Sequence, residues 1–327
     1  MKRQLGRSGI EVSALGMGCW AIGGPFSADG VEIGWGKVDD DESVKALHAA
    51  FENGITFFDT SDAYGAGHSE KIIGRVFASN RYQVVIATKF GNVIDEEKRE
   101  LVGHDASHNY IVNACEASLR RLNTDYIDLY QFHLGDYPAA DAPAVMETLE
   151  TLVQQGKIRS YAWSTDNPTN AAAFSPGKHC AAVQHRLNIF EDAPAIIDIC
   201  EANNLASINR SPLAMGLLSG KYSQQSEFSK DDIRSNANLG WLNYFKDGKP
   251  NPDLLEKTQA VREILTSDGR SLVQGALAWL LARSANTVPI PGIRTVAQAS
   301  ENAGTLTGKP LTQSQMDEIE NLLRPAA

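Results

Sequence analysis

Six polar residues of chemically useful types stand at the ends of short apolar runs. ITFFD stops at Asp59, QVVIATK at Lys89, YIDLYQFH at His133, CAAVQ at Gln184 and LASINR at Arg210, while KIRSYAW runs into Ser164. Tyr64 follows Asp59 in a glycine-containing loop. A lysine that ends an apolar run is drawn toward low dielectric and needs a carboxylate partner, which Asp59 can supply. Beside such a pair, a phenol and an imidazole form a set suited to acid–base chemistry on a small molecule. Each residue alone has an ordinary explanation. Asp59 could cap a turn, Lys89 could be a snorkelling surface lysine, Tyr64 could be packing, and His133 could be a satisfied core histidine. An Asp, a Lys, a Tyr and a His converging on one place is the stronger reading.

Convergence requires elements that all end at one face. Strand-like runs occur at 14–18, 55–59, 83–89, 126–133, 157–163, 180–184, 205–210 and 287–291, and most are followed by a helical pattern. Val44, Leu47 and Phe51 mark one helix, with Gly54 after it as a stop signal. Ile111, Cys115, Leu119 and Leu122 mark another, with Ser107 as its N-cap. Val145, Leu149, Leu152 and Val153 continue the series, and Leu272, Val273, Ala276, Leu277, Leu280 and Leu281 make a broad apolar stripe. Alternation of this kind predicts a parallel sheet with helical crossovers. Eight units favour an α/β fold consisting of a single (β/α)8 TIM barrel, in which strand ends carry the chemistry. MKRQL and EVSAL read as a hairpin before the barrel, a further helix is expected at the C-terminus, and residues 1–327 read as one domain. Segments 91–106 and 211–250 do not fit the repeat, and long loops of this kind are usually functional or mobile.

Thirty basic against forty acidic residues give a net charge of −10, which argues against a nucleic-acid partner. The longest apolar run, 276–282, falls far short of the ~20 residues of a membrane span. The N-terminal stretch has charge but no apolar core for a secretory signal. Cys19, Cys115, Cys180 and Cys200 are scattered, as in a reduced, cytoplasmic protein. Gly16, Gly18 and Ala21 match the loose dinucleotide pattern GxGxxA, but Ile22-Gly23-Gly24-Pro25 follows where a helix should begin, so a Rossmann turn is rejected.

The stretch FFDTSDAYGAGHSE (57–70) resembles the first signature of the aldo-keto reductases. VVIATKF (84–90), SLRRLNTDYIDLYQFH (118–133) and GKIRSYAWS (156–164) are similar to further signatures, and VPIPGIRTVAQASEN (288–302) resembles the cofactor-binding C-terminal segment. The likeness covers nearly the whole chain and is of the bacterial or aryl-alcohol-dehydrogenase-like type. It implies a catalytic tetrad of Asp59, Tyr64, Lys89 and His133. Carbonyl reduction needs a hydride on carbon and a proton on oxygen, and a phenol with a pKa near ~10 is a poor partner at neutral pH. Lys89, held by Asp59, is expected to lower the Tyr64 pKa, and His133 to orient the carbonyl and donate to the developing oxyanion.

The resemblance further implies NADP(H) extended over the barrel mouth, along Gly18, Cys19, Trp20 and Asp59. Ser164, Thr165 and Gln184 take the places that hold the nicotinamide carboxamide, Thr165 standing where Asn is common. Arg210 replaces a stacking aromatic, with an altered redox preference or an anionic substrate group as its two readings. Ser211, Leu213 and Gly216 resemble contacts on the pyrophosphate side. Arg294, Gln298 and Asn302, spaced i, i+4, i+8, together with Gly292 and Glu301, would face the adenosine and its 2′-phosphate. Trp20 and Trp35 are expected to wall the substrate pocket with Tyr64 and His133, and Tyr137, Trp241 and Tyr244 are weaker candidates. His104 and His108 lack a third ligand, so no metal is expected. Asp39, Asp40 and Asp41 read as a helix-capping cluster. These residues point to reversible reduction of aldehyde, ketone or sugar-type carbonyls. The competing readings are a cofactor-binding regulatory subunit with little turnover and a metal-dependent barrel hydrolase or isomerase. The partner is a small molecule, and the oligomeric state is not legible.

Overall fold

The eight expected strands form one parallel sheet in which chain neighbours are also spatial neighbours. In a computed structural model that describes residues 1–236, 239 and 242–324, they are Met17–Gly18, Phe57–Asp59, Val85–Phe90, Ile127–Phe132, Ile158–Ser164, Cys180–Arg186, Ala206–Arg210 and Thr287–Pro289. The sheet closes on itself. Gly16 N–H donates to the Pro289 carbonyl and Gly18 N–H to that of Pro291, each at 2.9 Å, and Gly18 forms a parallel bridge with Gly292. Long helices link most successive strands, giving a (β/α)8 barrel.

Strand period decides what faces the axis. Phe57, Val85, Ala87, Leu129, Ala162, Ala182, Ala206, Ile208, Val288 and Ile290 belong to a small inner core. Phe58, Ile86, Tyr130, Phe132, Trp163 and Val183, of opposite parity, pack outward in the larger core shared with the helices. Small alanines inside leave room for bulkier neighbours across the axis. The inner parity, continued toward the C-terminal ends, carries Asp59, Lys89, Gln131, His133, Ser164, Gln184 and Arg210 to one mouth.

The opposite end is plugged by the predicted hairpin, Lys2–Gln4 paired antiparallel with Glu11–Ser13, whose Leu5, Ile10 and Val12 join the inner core. Gly6 has φ +51°, and a Cβ there would lie 2.2 Å from the Ala181 carbonyl, so glycine is needed for this plug to seat.

Helix signals were mostly readable. Asp39 caps helix Asp40–Glu52 by accepting the Asp41 and Glu42 N–H groups, and Ser107 caps His108–Leu122. Gly54 follows the first of these one residue past its C-cap, at φ +90°. The 272–281 stripe lies on helix Leu272–Arg283, opened by a capping box between Ser271 and Gln274. The expected C-terminal helix is Gln313–Leu323, packed on helix Pro252–Thr266.

The two irregular segments have structure of their own. Asn92–Asp95 and Glu100–His104 form a hairpin, extended by Ser27–Ala28 and Val31–Glu32. In 211–250, Ile233 N–H donates to the Gly34 carbonyl and Asp232 bridges to Trp35, which joins this loop to the 30–38 loop across the mouth. No helix among the described residues is long and apolar enough to cross a membrane.

Candidate active site

Asp59 ends its strand level with Ala87 and Gly18. Lys89 lies two residues beyond Ala87, level with Gln131, so its long side chain folds back along the axis. Its ammonium donates to Asp59 Oδ1 at 2.5 Å, to the Thr60 carbonyl at 2.7 Å and to the Tyr64 hydroxyl at 3.2 Å. The second Asp59 oxygen accepts from Gln131 Nε2 at 2.8 Å and Gln184 Nε2 at 2.7 Å. Lys89 and Asp59 are both fully enclosed. Such a pair is tolerated because nearly every lone pair and proton has a partner. Tyr64 reaches the ammonium from the turn after Asp59. That turn presses on Gly23, where a Cβ on Gly65 would lie 1.9 Å from the Gly23 carbonyl.

Burial disfavours the Lys89 charge, but Asp59 and Tyr64 outweigh it and hold the amine above its ordinary pKa. Tyr64 differs from the sequence-based expectation. Burial pushes its phenol up, Lys89 pulls it down and Asp59 pushes it up again, and the net direction is upward. Lys89 does act in the expected sense, but its charge is largely matched by Asp59, and burial outweighs it. Tyr64 therefore stands protonated at neutral pH, ready to give a proton.

His133 follows strand Ile127–Phe132, and its Nδ1 lies 3.2 Å from Ser61 Oγ and 3.3 Å from Asn92 Nδ2. Burial, then Lys89 and Arg210, holds the imidazole well below its ordinary pKa, so the ring is neutral. An amide nitrogen only donates, so the Asn92 contact favours Nδ1 as an acceptor, with the proton on Nε2.

Above these residues opens a cavity of about 1250 Å³. It exceeds the roughly 300–1,000 Å³ of common ligand pockets, leaving room for an extended cofactor and a small substrate together. Apart from the three weaker aromatic candidates, it is lined by every sequence-predicted site residue except Lys89, which lies beneath Tyr64, and Thr165. Thr165 is turned away, its hydroxyl donating to the Gly135 carbonyl at 2.7 Å. Trp20 lies nearly parallel to Tyr64 at 6.0 Å, and Trp35 meets Trp20 edge-on at 5.4 Å. Tyr137 and Tyr244 do not line the cavity, the Tyr244 hydroxyl being bound to Glu191 and Asn188. Trp241 lies outside the described residues.

Several donors already have partners. Gln184 gives its amide to Asp59. Arg210 is ion-paired with Asp166, whose carboxylate is pushed up by burial but held below its ordinary value by Arg210 and the Arg186 N–H. Arg210 therefore stands at the mouth as a matched cation. Arg294 precedes helix Val296–Ala303 rather than lying on it, because Thr295 is the N-cap. Its guanidinium donates to the Trp35 carbonyl at 3.1 Å and the Lys37 carbonyl at 2.9 Å, and its own N–H to Gln298 Oε1 at 2.8 Å. Five-donor arginine has capacity for a phosphate as well.

Sequence reasoning missed Gln131, Asp166, Ser61 and Asn92. Gln131 and Asp166 were accessible, since each stands two residues from a named strand-end residue and shares its parity. Ser61 and Asn92 carried no such signal. Among the described residues no cluster of three His, Cys, Asp or Glu side chains could hold a metal.

The chain resembles known proteins over nearly its full length. It is 31% identical over 320 residues to the aldo-keto reductase YhdN of Bacillus subtilis, covering 97% of this chain and 91% of that one. It is 32% identical over 321 residues to the aldo-keto reductase yakc [NADP(+)] of Schizosaccharomyces pombe, covering 94% and 87%. The solved glycerol dehydrogenase AKR11B4 of Gluconobacter oxydans superposes with a TM-score of 0.81 at 32% identity, covering 100% of this chain and 96% of that one. The sequence model of the aldo/keto reductase family matches residues 14–324, and with the barrel and its mouth described above this chain belongs to that family of oxidoreductases.

Proposed function

We propose that this chain is an NADP(H)-dependent reductase of aldehydes and ketones, sugar-type carbonyls included, that works reversibly with Tyr64 as the general acid and base. The observation that carries this reading is the enclosed Lys89 ammonium, placed between Asp59 and the Tyr64 hydroxyl beside a neutral His133. NADPH, when bound there, would supply the hydride. Every other part of the reaction falls to the chain. The Nε2–H of His133 orients the carbonyl oxygen and stabilises the charge that grows there. Tyr64 gives its proton to that oxygen, and Lys89 stabilises the phenolate left behind. Trp20 and Trp35 exclude water and shape the wall.

The cavity fits the cofactor. Ser164, Gln184 and the Arg210–Asp166 pair would surround the nicotinamide end, with Ser211, Leu213 and Gly216 along its length. Arg294, Gln298, Glu301 and Asn302 would meet the adenosine end, and Arg294 supplies the cation suited to a 2′-phosphate. The printed name of the Schizosaccharomyces pombe relative, with NADP(+), supports this choice. That of the Gluconobacter oxydans neighbour, a glycerol dehydrogenase, supports a reaction that also runs in the oxidative direction.

The test is Tyr64→Phe, assayed with NADPH on a panel of aldehydes, ketones and sugars. Reduction should fall by about 10²–10⁴-fold, as for a lost general acid, while NADPH affinity stays close to that of the wild type. Wild-type turnover in the Phe variant would overturn the assignment.

A further inference from the structure

Behind His133 the hydrogen bonds continue. Ser61 and Asp62, in the turn after strand Phe57–Asp59, are both buried. Ser61 Oγ lies 3.2 Å from His133 Nδ1 and 3.1 Å from Asp62 Oδ1, and it accepts the Ala63 N–H at 3.1 Å. A hydroxyl has one proton and two lone pairs. With one lone pair taken by Ala63, one proton and one lone pair remain for two partners. If Asp62 is ionised, it takes the Ser61 proton, and Nδ1 must then donate its own proton to Ser61. If Asp62 is a neutral acid, it can reverse this bond and donate to Ser61, which is then free to donate to Nδ1.

We propose that Asp62 is a positioning residue which, through Ser61, sets the tautomer of His133 and so decides whether Nε2 offers a proton or a lone pair to the carbonyl oxygen. This rests on the reading of His133 given above. Only the first of these, Nε2–H, can stabilise an oxyanion, and a neutral Asp62 is the state that frees Ser61 to donate to Nδ1 and hold it. Asn92 favours the same tautomer, since its amide nitrogen also needs Nδ1 as an acceptor.

The surroundings of Asp62 support a neutral acid. Glu70 faces it from helix His68–Phe77, Arg121 and Tyr110 from helix His108–Leu122, and Tyr130 from strand Ile127–Phe132. Arg121 is committed to Glu70 at 2.6 Å and to Glu96 at 2.9 Å, so no ion pair is made with Asp62. Burial, then Glu70, pushes the Asp62 carboxyl up to about 8, against the pull of Arg121, Ser61 and the Ala63 N–H. The sign follows. Below that pH Asp62 holds its proton and Nε2 donates. Above it the Nδ1–H tautomer gains and reduction slows. This break lies below that of Tyr64, whose phenol is pushed above its ordinary value.

The experiment is nitrogen NMR of the His133 ring in the full chain with NADPH bound, between about pH 6 and pH 10, beside the pH profile of kcat for reduction. In the wild type Nδ1 should change from an acceptor to a protonated signature as the pH crosses about 8, with kcat falling about tenfold or more over the same range. Asp62→Asn cannot titrate and Ser61→Ala cuts the link, so both should lose the crossing and the matching break in kcat. Should Asp62→Asn fail to fold, Ser61→Ala decides alone, because it removes a single hydroxyl. A crossing that survives in either variant, or a wild type that keeps one tautomer throughout, would overturn the relay. The ring signal needs no turnover. A crossing without carbonyl reduction would therefore defeat the proposed function and leave the relay standing, and reduction without a crossing would defeat the relay alone.

Discussion

Replacing Lys89 with Met separates what the buried ion pair does for stability from what it does for chemistry. The Lys89 side chain is 0% exposed and that of Asp59 2%, with 2.5 Å between their charged atoms. Deleting one partner of such a pair costs about 3–5 kcal/mol, because the remaining charge stays buried. Gln131 and Gln184 still donate to Asp59, and hydrogen bonds to a charged group are worth about 1.5–3 kcal/mol each, so the lower end, near 3 kcal/mol, is expected. For a chain of 327 residues that lowers Tm by about 4 °C. Asp59→Asn combined with Lys89→Met removes both charges and should recover much of the loss. Activity should behave differently. Lys89 is the group that pulls the Tyr64 phenol down, so both variants should lose about 10²–10⁴-fold in carbonyl reduction. Thermal unfolding and NADPH consumption measure the two effects separately. A double variant no more stable than the single one would refute the buried-pair accounting. A Lys89→Met variant with wild-type rate and pH profile would refute the role of the amine.

Arg294→Ala should weaken NADPH binding by about ten- to a hundredfold, the worth of a charge-assisted phosphate contact, and the loss should shrink as salt rises. NADH should lose less, through the freed carbonyls of Trp35 and Lys37 alone, and an unchanged NADPH/NADH ratio would show that Arg294 only ties down the loop. Arg210→Ala leaves the Asp166 carboxylate facing the mouth and should favour NADP+ over NADPH, whereas Asp166→Asn leaves the guanidinium and should favour NADPH. Each shift in the ratio of dissociation constants should be about two- to fivefold, small because the pair is partly exposed to solvent, and two shifts of the same sign would defeat the pairing argument.

Period and type were legible from the chain alone. Strand alternation puts Asp59, Lys89, His133, Ser164, Gln184 and Arg210 on the inner parity, and parallel strands bring their C-terminal ends to one face. The barrel, the hairpin before it and the membership of the mouth follow from those local facts. What each side chain bonds to does not. Arg210 finds Asp166 at a separation of 44 residues, and Arg294 finds the Trp35 carbonyl at 259. Thr165 loses its hydroxyl to Gly135, and Gln131 and Gln184 both serve one Asp59 oxygen. The net upward direction of the Tyr64 pKa likewise depends on how deeply the phenol is buried and how fully Asp59 matches Lys89. Hydrogen-bond saturation and desolvation are sums over every neighbour a group meets, and only tertiary packing decides who those neighbours are.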